Sequence, residues 1–272
     1  MTELLHKALT QSILGVYYDV YNGTARIYPE RFYDRAMVHD LSELKIRCVQ
    51  QPEYQIVYKE RIVGKQILDI LIAGEVVVED KVASCLTRLH KAQLLSYLKV
   101  TGKQVGLLLN FGGPAPEFQR LYFAPREPRV VQAHIERVVS SHERTDLIAP
   151  ELVYEIVGGL FEVHSTLGPG FIHRIYTHAC HHELTLRGLP AKPQKAIQVF
   201  YRGIALGELK FGHLRVGDTV IVFPVAIQSV ADLNLDALRE WLRSENVPLG
   251  ILANFWDTEL RPIFLKPNPS IG

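Results

Sequence analysis

The stretch GLLLNF at residues 106–111 recurs as GILANF at residues 250–255, an offset of 144 residues. Earlier in the chain the offset is 143, so a single one-residue insertion separates the two registers. Other matches on these offsets are Tyr33 with Tyr176, Tyr58 with Tyr201, Gly64 with Gly207, and VVV at 76–78 with VIV at 220–222. Matches that keep register from end to end indicate a tandem duplication of one module.

Each copy has the same predicted order of elements, two helices, three strands, a helix and two strands. Gly74 and Gly217 stand where each copy needs a tight turn before its third strand. The sequence therefore predicts an α/β fold of two tandem modules, each a mixed β-sheet flanked by helices. We expect modules at 1–123 and 149–266, joined by a linker at 124–148. After the first helix of each copy, helices are predicted at about 29–45, 88–101, 170–187 and 231–245.

The composition is that of a globular protein, with 47% hydrophobic and 22% charged residues. No apolar run approaches the roughly 20 residues that span a bilayer, and we expect no signal peptide and no membrane association. The cysteines, Cys48, Cys85 and Cys180, are scattered without paired spacing, which favours a reducing, cytoplasmic location over a disulfide framework. A formal net charge of +1 gives no overall basic character for nucleic-acid binding.

Two acidic residues and a lysine fall on neighbouring predicted strands of the first copy. Asp69 lies on one strand, and Glu79 and Lys81, two residues apart, leave the same face of the next. Because Glu79 follows three valines, its charge is costly to bury unless it is paired or bound to a metal. Converging carboxylates beside a lysine suit Mg²⁺ or Mn²⁺. For these three residues alone, a structural ion pair on a half-exposed hairpin is the alternative.

Two further groups of polar residues accompany this set. Glu30 begins the second predicted helix, and Tyr33 follows one turn later on the same side. His90, Gln93 and Tyr97 have spacings of three and four, which place them on one face of the helix after the lysine strand.

In order and spacing, these residues resemble the GxxExxY family of the PD-(D/E)xK nuclease superfamily, which is related to RecB-type nuclease domains. The segment EVHSTLGPGFIHRIYTHA at 162–179 also looks like the opening segment of that family, with its Leu-Gly-Pro-Gly turn. The first copy departs from the pattern, because it has Ala25-Arg26-Ile27 in place of the turn and Leu68 in place of a proline.

The resemblance implies a restriction-endonuclease-like fold with acidic residues and a lysine around divalent ions. It implies that the metal ligands are Asp69, Glu79 and Glu30. It implies that Lys81 is the catalytic lysine and that Gln93 lies near water or phosphate. On the same resemblance we expect substrate contacts from Tyr33, His90 and Tyr97.

The second copy has lost this charged set. The positions of Glu30, Asp69, Glu79, Lys81, Gln93 and Tyr97 carry His173, His213, Phe223, Val225, Ala237 and Trp241. No carboxylate remains there to hold a divalent ion. A zinc site is an alternative use of the histidines His173, His178, His181, His182 and His213, since His178 and His182 have the i, i+4 spacing of helical ligands.

The leading hypothesis is a Mg²⁺- or Mn²⁺-dependent nuclease that acts on DNA through its first copy, with a degenerate second copy. The alternative is a non-catalytic scaffold on a nuclease fold that binds nucleic acid or protein. A third, weaker hypothesis is a regulatory subunit that binds a metal or nucleotide without cleavage. Because duplicated modules often descend from homodimers, we expect a pseudo-dimer, and a homo-oligomer or a protein partner is possible.

Overall fold

A computed structural model of the chain describes residues 5–124, 149–201 and 204–267. The described residues form two compact units. The first unit contains residues 5–57, 65–124 and 167–170, and the second contains 58–64, 149–166, 171–201 and 204–267. Each unit is therefore one copy of the repeat together with a short segment from the other copy. Residues 125–148 of the predicted linker at 124–148 lie outside the described residues.

The first copy folds as a five-stranded mixed sheet with helices. Its helices are α1 (Lys7–Gly23), α2 (Glu30–Glu43) and α3 (Arg88–Thr101). Its strands are β1 (Cys48–Gln50), β2 (Glu53–Tyr58), β3 (Arg61–Ile67), β4 (Ile70–Ile72), β5 (Val76–Lys81), β6 (Val105–Asn110) and β7 (Glu117–Tyr122). The sheet has the order β1-β4-β5-β6-β7, in which only the β5–β6 pair is parallel. Strands β2 and β3 pair separately.

Helices cover both faces of this sheet. Residues of α1 and α2, among them Ile13 and Met37, share one apolar core with Val76 and Val78 of β5. On the other face, α3 lies so close to β6 that a Cβ at Gly106 would stand 2.9 Å from Leu94 Cδ1. Alternate side chains of β5 therefore point into two different environments.

The second copy repeats this plan. Its elements are α4 (Pro150–Leu167), α5 (His173–Leu186), β8 (Ala191–Tyr201), β9 (Ile204–Val216), β10 (Val220–Val225), α6 (Leu235–Ser244), β11 (Leu249–Asn254) and β12 (Ile263–Leu265). The sheet order is β12-β11-β10-β9-β8, and the β10–β11 pair is parallel. The predicted element order is confirmed here, although a short 3₁₀ helix at Val230–Asp232 precedes α6 and shortens the helix predicted at 231–245. The predicted mixed sheets flanked by helices are confirmed in both copies.

The first copy has more strands than predicted. A short β1 precedes the hairpin of β2 and β3. The extended segment that follows is interrupted at Leu68 and Asp69, which divides it into β3 and β4. The backbone explains the break, because Leu68 N–H donates to Pro52 C=O at 3.1 Å and Asp69 C=O accepts from Gln51 N–H at 2.9 Å. In the second copy, β9 continues through the corresponding residue, His213, although its pairing with β8 shifts register between His213 and Lys210.

Glycines end elements where the sequence analysis expected turns. Gly74 and Gly217 have φ values of +73° and +58°, a left-handed conformation that favours glycine, which confirms both predicted turns. Gly188, with φ +73°, ends α5. Among the helices of the described residues, none is long and apolar enough to cross a membrane.

Candidate active site

Strand β5 carries three consecutive ionisable residues at the centre of the first sheet. Glu79 and Lys81 leave the face that α3 covers, whereas Asp80 points to the face that α1 and α2 cover. The pairing of Ile70 with Val78, continued by one residue, places Asp69 opposite Glu79. The predicted set of Asp69, Glu79 and Lys81 therefore shares one face of the sheet.

Glu79 and Lys81 form a buried ion pair. The Lys81 ammonium lies 2.6 Å from Glu79 Oε1, with 14% and 4% of the two side chains exposed. The other carboxylate oxygen, Oε2 of Glu79, is buried and has no hydrogen-bond partner. Burial, and then the charge of Asp69, raise the pKa of Glu79 to about 8, although Lys81 opposes the shift. Burial opposes the charge of Lys81, but contact with Glu79 leaves the net pKa of Lys81 raised.

Asp69 is held by the backbone of β5. Its Oδ2 accepts a hydrogen bond of 2.9 Å from the N–H of Asp80. Burial raises the pKa of Asp69, and this hydrogen bond and the charge of Lys81 oppose the rise. The carboxylate is therefore held beside Glu79 by a hydrogen bond from the strand that carries Glu79.

Glu30 is close to this set but does not join it as a third ligand. It is the first residue of α2 and is exposed, and its Oε1 accepts from Val82 N–H at 3.3 Å. Its charge raises the pKa values of Glu79 and Lys81. In the part of the chain that the structure describes, no group of three or more His, Cys, Asp or Glu side chains is arranged to hold a metal ion. The expected convergence of Glu30 with Asp69 and Glu79 is therefore not observed, because its carboxylate engages the backbone just beyond β5.

A second acidic pair, Asp34 and Asp80, was not predicted from the sequence. Asp34 lies one turn after Glu30 on α2 and is 5% exposed, and Asp80 is fully buried. Burial raises the pKa of both carboxyls, and Asp34 raises that of Asp80 further. A hydrogen bond joins the two side chains, which favours the protonated form of Asp80 and the charged form of Asp34. The i, i+4 spacing from Glu30 and the strand alternation at Asp80 were the signals that could have identified this pair.

The three polar residues of α3 have different partners. His90 completes the N-terminal cap, because its N–H donates to Thr87 Oγ1 at 3.2 Å and its Nδ1 accepts from Thr87 N–H at 3.3 Å. Burial, and then the nearby charge of Lys81, lower the pKa of His90. Gln93 Nε2 donates to Tyr97 Oη at 2.7 Å, and Tyr97 is 2% exposed.

Tyr33 belongs to the core. It is 1% exposed and stacks on Phe111 with ring centroids 4.5 Å apart. Its hydroxyl donates to Ala25 C=O at 2.7 Å and accepts from Tyr28 N–H at 3.2 Å. We therefore correct its expected role as a substrate contact, since the hydroxyl holds the loop before α2.

Asn110, which the sequence analysis did not select, ties the end of β6 to the loop after β5. Its Oδ1 accepts from Ala83 N–H at 3.1 Å, and its Nδ2 donates to Ala83 C=O at 2.9 Å. Asn254 makes the same two bonds to Ile227, at 3.1 and 2.9 Å. An asparagine at the same position of GLLLNF and GILANF was the sequence signal that could have identified this residue. Because both copies keep this amide, it serves the framework of the fold.

In the second copy, aromatic side chains fill the corresponding place. Phe223 is fully buried and shares an apolar cluster with Val225 and Trp241. The rings of His213 and Trp241 meet edge to face with centroids 4.9 Å apart. Burial lowers the pKa of His213, which favours the neutral ring.

Two of the histidines considered for the zinc site, His178 and His213, have backbone partners. His178 Nδ1 lies 2.9 Å from the C=O of Val63, and His213 Nδ1 lies 2.9 Å from that of Phe211. Among the described residues, no three His, Cys, Asp or Glu side chains are arranged to hold a metal ion, so the zinc alternative receives no support.

The residues of the first copy fit a divalent ion in part. Carboxylate oxygens are the ligands that Mg²⁺ and Mn²⁺ prefer, and Asp69 and Glu79 supply them. The unpartnered Oε2 of Glu79 is buried beside a second carboxylate, a placement that a cation would stabilise. Asp69 and Glu79 would hold the ion, and Glu30 would need to turn away from Val82 to join them.

The comparison with protein families matches each copy separately. A family model described as the PD-(D/E)XK nuclease superfamily matches residues 7–121 and, independently, residues 150–263. The chain belongs to the PD-(D/E)XK nuclease superfamily and carries two tandem modules of it. No curated protein and no solved structure matches the chain. The narrower resemblance to the GxxExxY family stays a prediction.

Proposed function

We propose that the chain is a divalent-metal-dependent nuclease that hydrolyses phosphodiester bonds in DNA and that its first copy is the catalytic one. The observation that carries the proposal is the buried pair of Glu79 and Lys81 beside Asp69. Taking charges out of water costs stability unless the geometry compensates, so such a set is rarely kept for packing alone. The second copy shows that the same fold does without it, since Phe223 and Val225 occupy the two positions of β10.

The chain supplies negative ligands and a positive group at one face of the sheet. A divalent ion bound by Asp69 and Glu79 would stabilise the negative charge that develops on the phosphate oxygens during hydrolysis. The ammonium of Lys81 stays oriented by Glu79, and it can donate to a phosphate oxygen or to the attacking water.

His90 offers a second donor for the phosphate. Because its Nδ1 accepts from Thr87 N–H, the neutral ring carries its proton on Nε2. The lowered pKa of His90 keeps the ring neutral near pH 7. We propose that Nε2–H donates to a phosphate oxygen, which gives His90 the substrate-binding role expected of it.

The test is cleavage by the full chain with Mg²⁺ or Mn²⁺ against an EDTA control. Double-stranded, supercoiled and single-stranded DNA and RNA are the probes. Lys81→Met should lower the rate about 100-fold or more, as the loss of one donor to a developing charge does. The matched control is Lys65→Met, since Lys65 lies the same 2.6 Å from Glu53 in an exposed ion pair. Equal rates for wild type and Lys81→Met would show that the activity comes from a contaminant.

A non-catalytic scaffold remains the second candidate, and one observation favours it. Glu79 and Lys81 neutralise each other at 2.6 Å, as a structural pair does. A scaffold would bind nucleic acid without cleaving any probe, and its binding would be the same with EDTA as with Mg²⁺. Cleavage that requires a divalent ion and Lys81 would exclude it.

A further inference from the structure

We infer that a turn contributed by the second copy positions Gln93 for the reaction of the first. This glycine turn, Leu167–Gly170, is part of the first unit although its sequence belongs to the second copy. The inference rests on the proposed function, because it assigns the turn to the same site. Gln93 is the residue through which the turn acts, and the turn is a positioning element.

The glycine turn lies directly against α3. A Cβ on Gly170 would stand 2.8 Å from both Cα and Cγ of Gln93, and a Cβ on Gly168 would stand 2.5 Å from Ser96 Oγ. Both glycines have positive φ, +114° and +75°. Contact with the Cα of Gln93 leaves no side-chain motion that could relieve a substitution at Gly170. The backbone of the turn therefore limits where the Gln93 side chain can go.

The hydroxyl of Tyr97 connects the turn to Gln93. It accepts from Gln93 Nε2 at 2.7 Å and from Gln66 Nε2 at 3.1 Å, and it donates to Gly170 C=O at 3.5 Å. A tyrosine hydroxyl has one proton and two lone pairs, so it can make all three of these bonds at once. Donation to Gly170 turns the lone pairs toward the two glutamines. One N–H of the Gln93 amide then donates to Tyr97, and its Oε1 can accept from the attacking water.

The repeat provides an internal comparison. The helix residues Gln93 and Tyr97 are kept in the first copy, where the second copy has Ala237 and Trp241. The glycine turn is present in the second copy only. The corresponding residues of the first copy, 25–27, have no positive φ. The turn therefore persists in the copy that has no acidic site of its own. Its contacts with α3 of the first unit account for that persistence.

The test replaces Gly170 in the full chain. Gly170→Ala should lower kcat about tenfold or more with less change in KM, because a misplaced positioning group slows the chemical step. The control is Gly188→Ala, which places a Cβ at a positive φ of +73° with nothing within 4 Å. It should keep wild-type kcat. In the Gln93→Ala background, Gly170→Ala should have almost no further effect on kcat, since coupled residues are not additive.

A measurement that needs no activity separates this inference from the proposed function. In ¹⁵N-labelled chain, the side-chain amide signals of Gln93 are assigned by their loss in Gln93→Glu. Gly170→Ala should shift them and Gly188→Ala should not. If Gly170→Ala fails to fold, Tyr97→Phe, which keeps the ring and removes the hydroxyl, should shift the same signals. Wild type that cleaves nothing would defeat the proposed function, and the shifts would still support the turn. Unshifted Gln93 signals, or a wild-type kcat in folded Gly170→Ala, would overturn the inference.

Discussion

The backbone N–H of Asp80 donates a hydrogen bond of 2.9 Å to the carboxylate of Asp69. The second copy lacks both partners of this bond. His213 stands at the position of Asp69, and Pro224, which has no N–H, stands at that of Asp80. A buried donor without an acceptor lowers the stability of the fold. Removing the acceptor alone therefore costs more stability than removing the donor and the acceptor together. The acidic residue of the first copy is therefore part of the backbone pairing as well as a candidate ligand.

The two roles of Asp69 can be separated by substitution. Asp69→Ala should lower the free energy of unfolding by about 1–3 kcal/mol, because Asp80 N–H loses its acceptor. Asp69→Asn keeps an acceptor oxygen and should cost less, while it removes the charge that a metal needs. Urea denaturation of both variants without metal measures the difference. Equal losses in the two variants would show that the hydrogen bond does not decide the stability.

The metal-free protein should lose stability as the pH rises. Burial, and then Asp69, raise the pKa of Glu79 to about 8 from its ordinary 4.5. The folded state therefore binds more protons than the unfolded state between these values. The contribution of Glu79 to stability is present below about pH 4.5 and is lost as the pH approaches 8, and the raised pKa of Asp80 acts in the same direction.

Urea denaturation in EDTA between about pH 5 and 8.5 measures this slope. Glu79→Gln, which cannot ionise, should make the slope shallower. Adding Mn²⁺ should flatten it in wild type, since the ion favours the charged carboxylates. A wild-type slope equal to that of Glu79→Gln would contradict the assignment to Glu79.

The second copy should depend on Phe223 for its core. Phe223 is fully buried, and its ring centroid lies 5.7 Å from Phe211 and 6.0 Å from Trp241. Phe223→Ala should cost about 3–5 kcal/mol of unfolding free energy, because it removes contacts and leaves a cavity. The comparison is Glu79→Leu/Lys81→Met in the first copy, which should be neutral or stabilising, since apolar residues often replace a buried ion pair without loss. A double variant less stable than Phe223→Ala would contradict this contrast.

The fold was largely predictable because it depends on local patterns. The helix predicted at about 88–101 is α3, and the repeated apolar segments at 106–111 and 250–255 fall almost wholly in β6 and β11. Hydrophobic periodicity and caps determine such elements. The break at Asp69 was not predictable, because it depends on bonds from Leu68 and Asp69 to the backbone at 51–52.

The candidate site was predictable only where strand alternation decides it. Alternation places Glu79 and Lys81 on one face, and the same rule would have placed Asp80 on the other. The role of Tyr33 could not be read from its spacing, because its burial depends on stacking with Phe111, far away in the chain. The orientation of Glu30 likewise depends on a backbone N–H, that of Val82, which the sequence does not reveal.

The first copy should not be stable alone. Tyr58, at the end of β2, belongs to the second unit, where its hydroxyl donates to Glu183 at 2.8 Å and it is fully buried. A fragment of residues 1–128 would expose this ring and would also lack the glycine turn at 167–170. We expect it to aggregate or self-associate, which size-exclusion chromatography with light scattering would show. A soluble, stable monomer would contradict this prediction and the pseudo-dimer expected from the sequence.

The binding of Mn²⁺ to the full chain, followed by electron paramagnetic resonance, tests most directly whether the first copy alone holds the metal. Wild type should bind Mn²⁺, and Asp69→Asn should weaken that binding about tenfold or more, because each tenfold step needs only about 1.4 kcal/mol. His213→Asn, the matched change in the second copy, should leave the affinity unchanged. Binding that survives Asp69→Asn, or that falls equally with His213→Asn, would contradict the account.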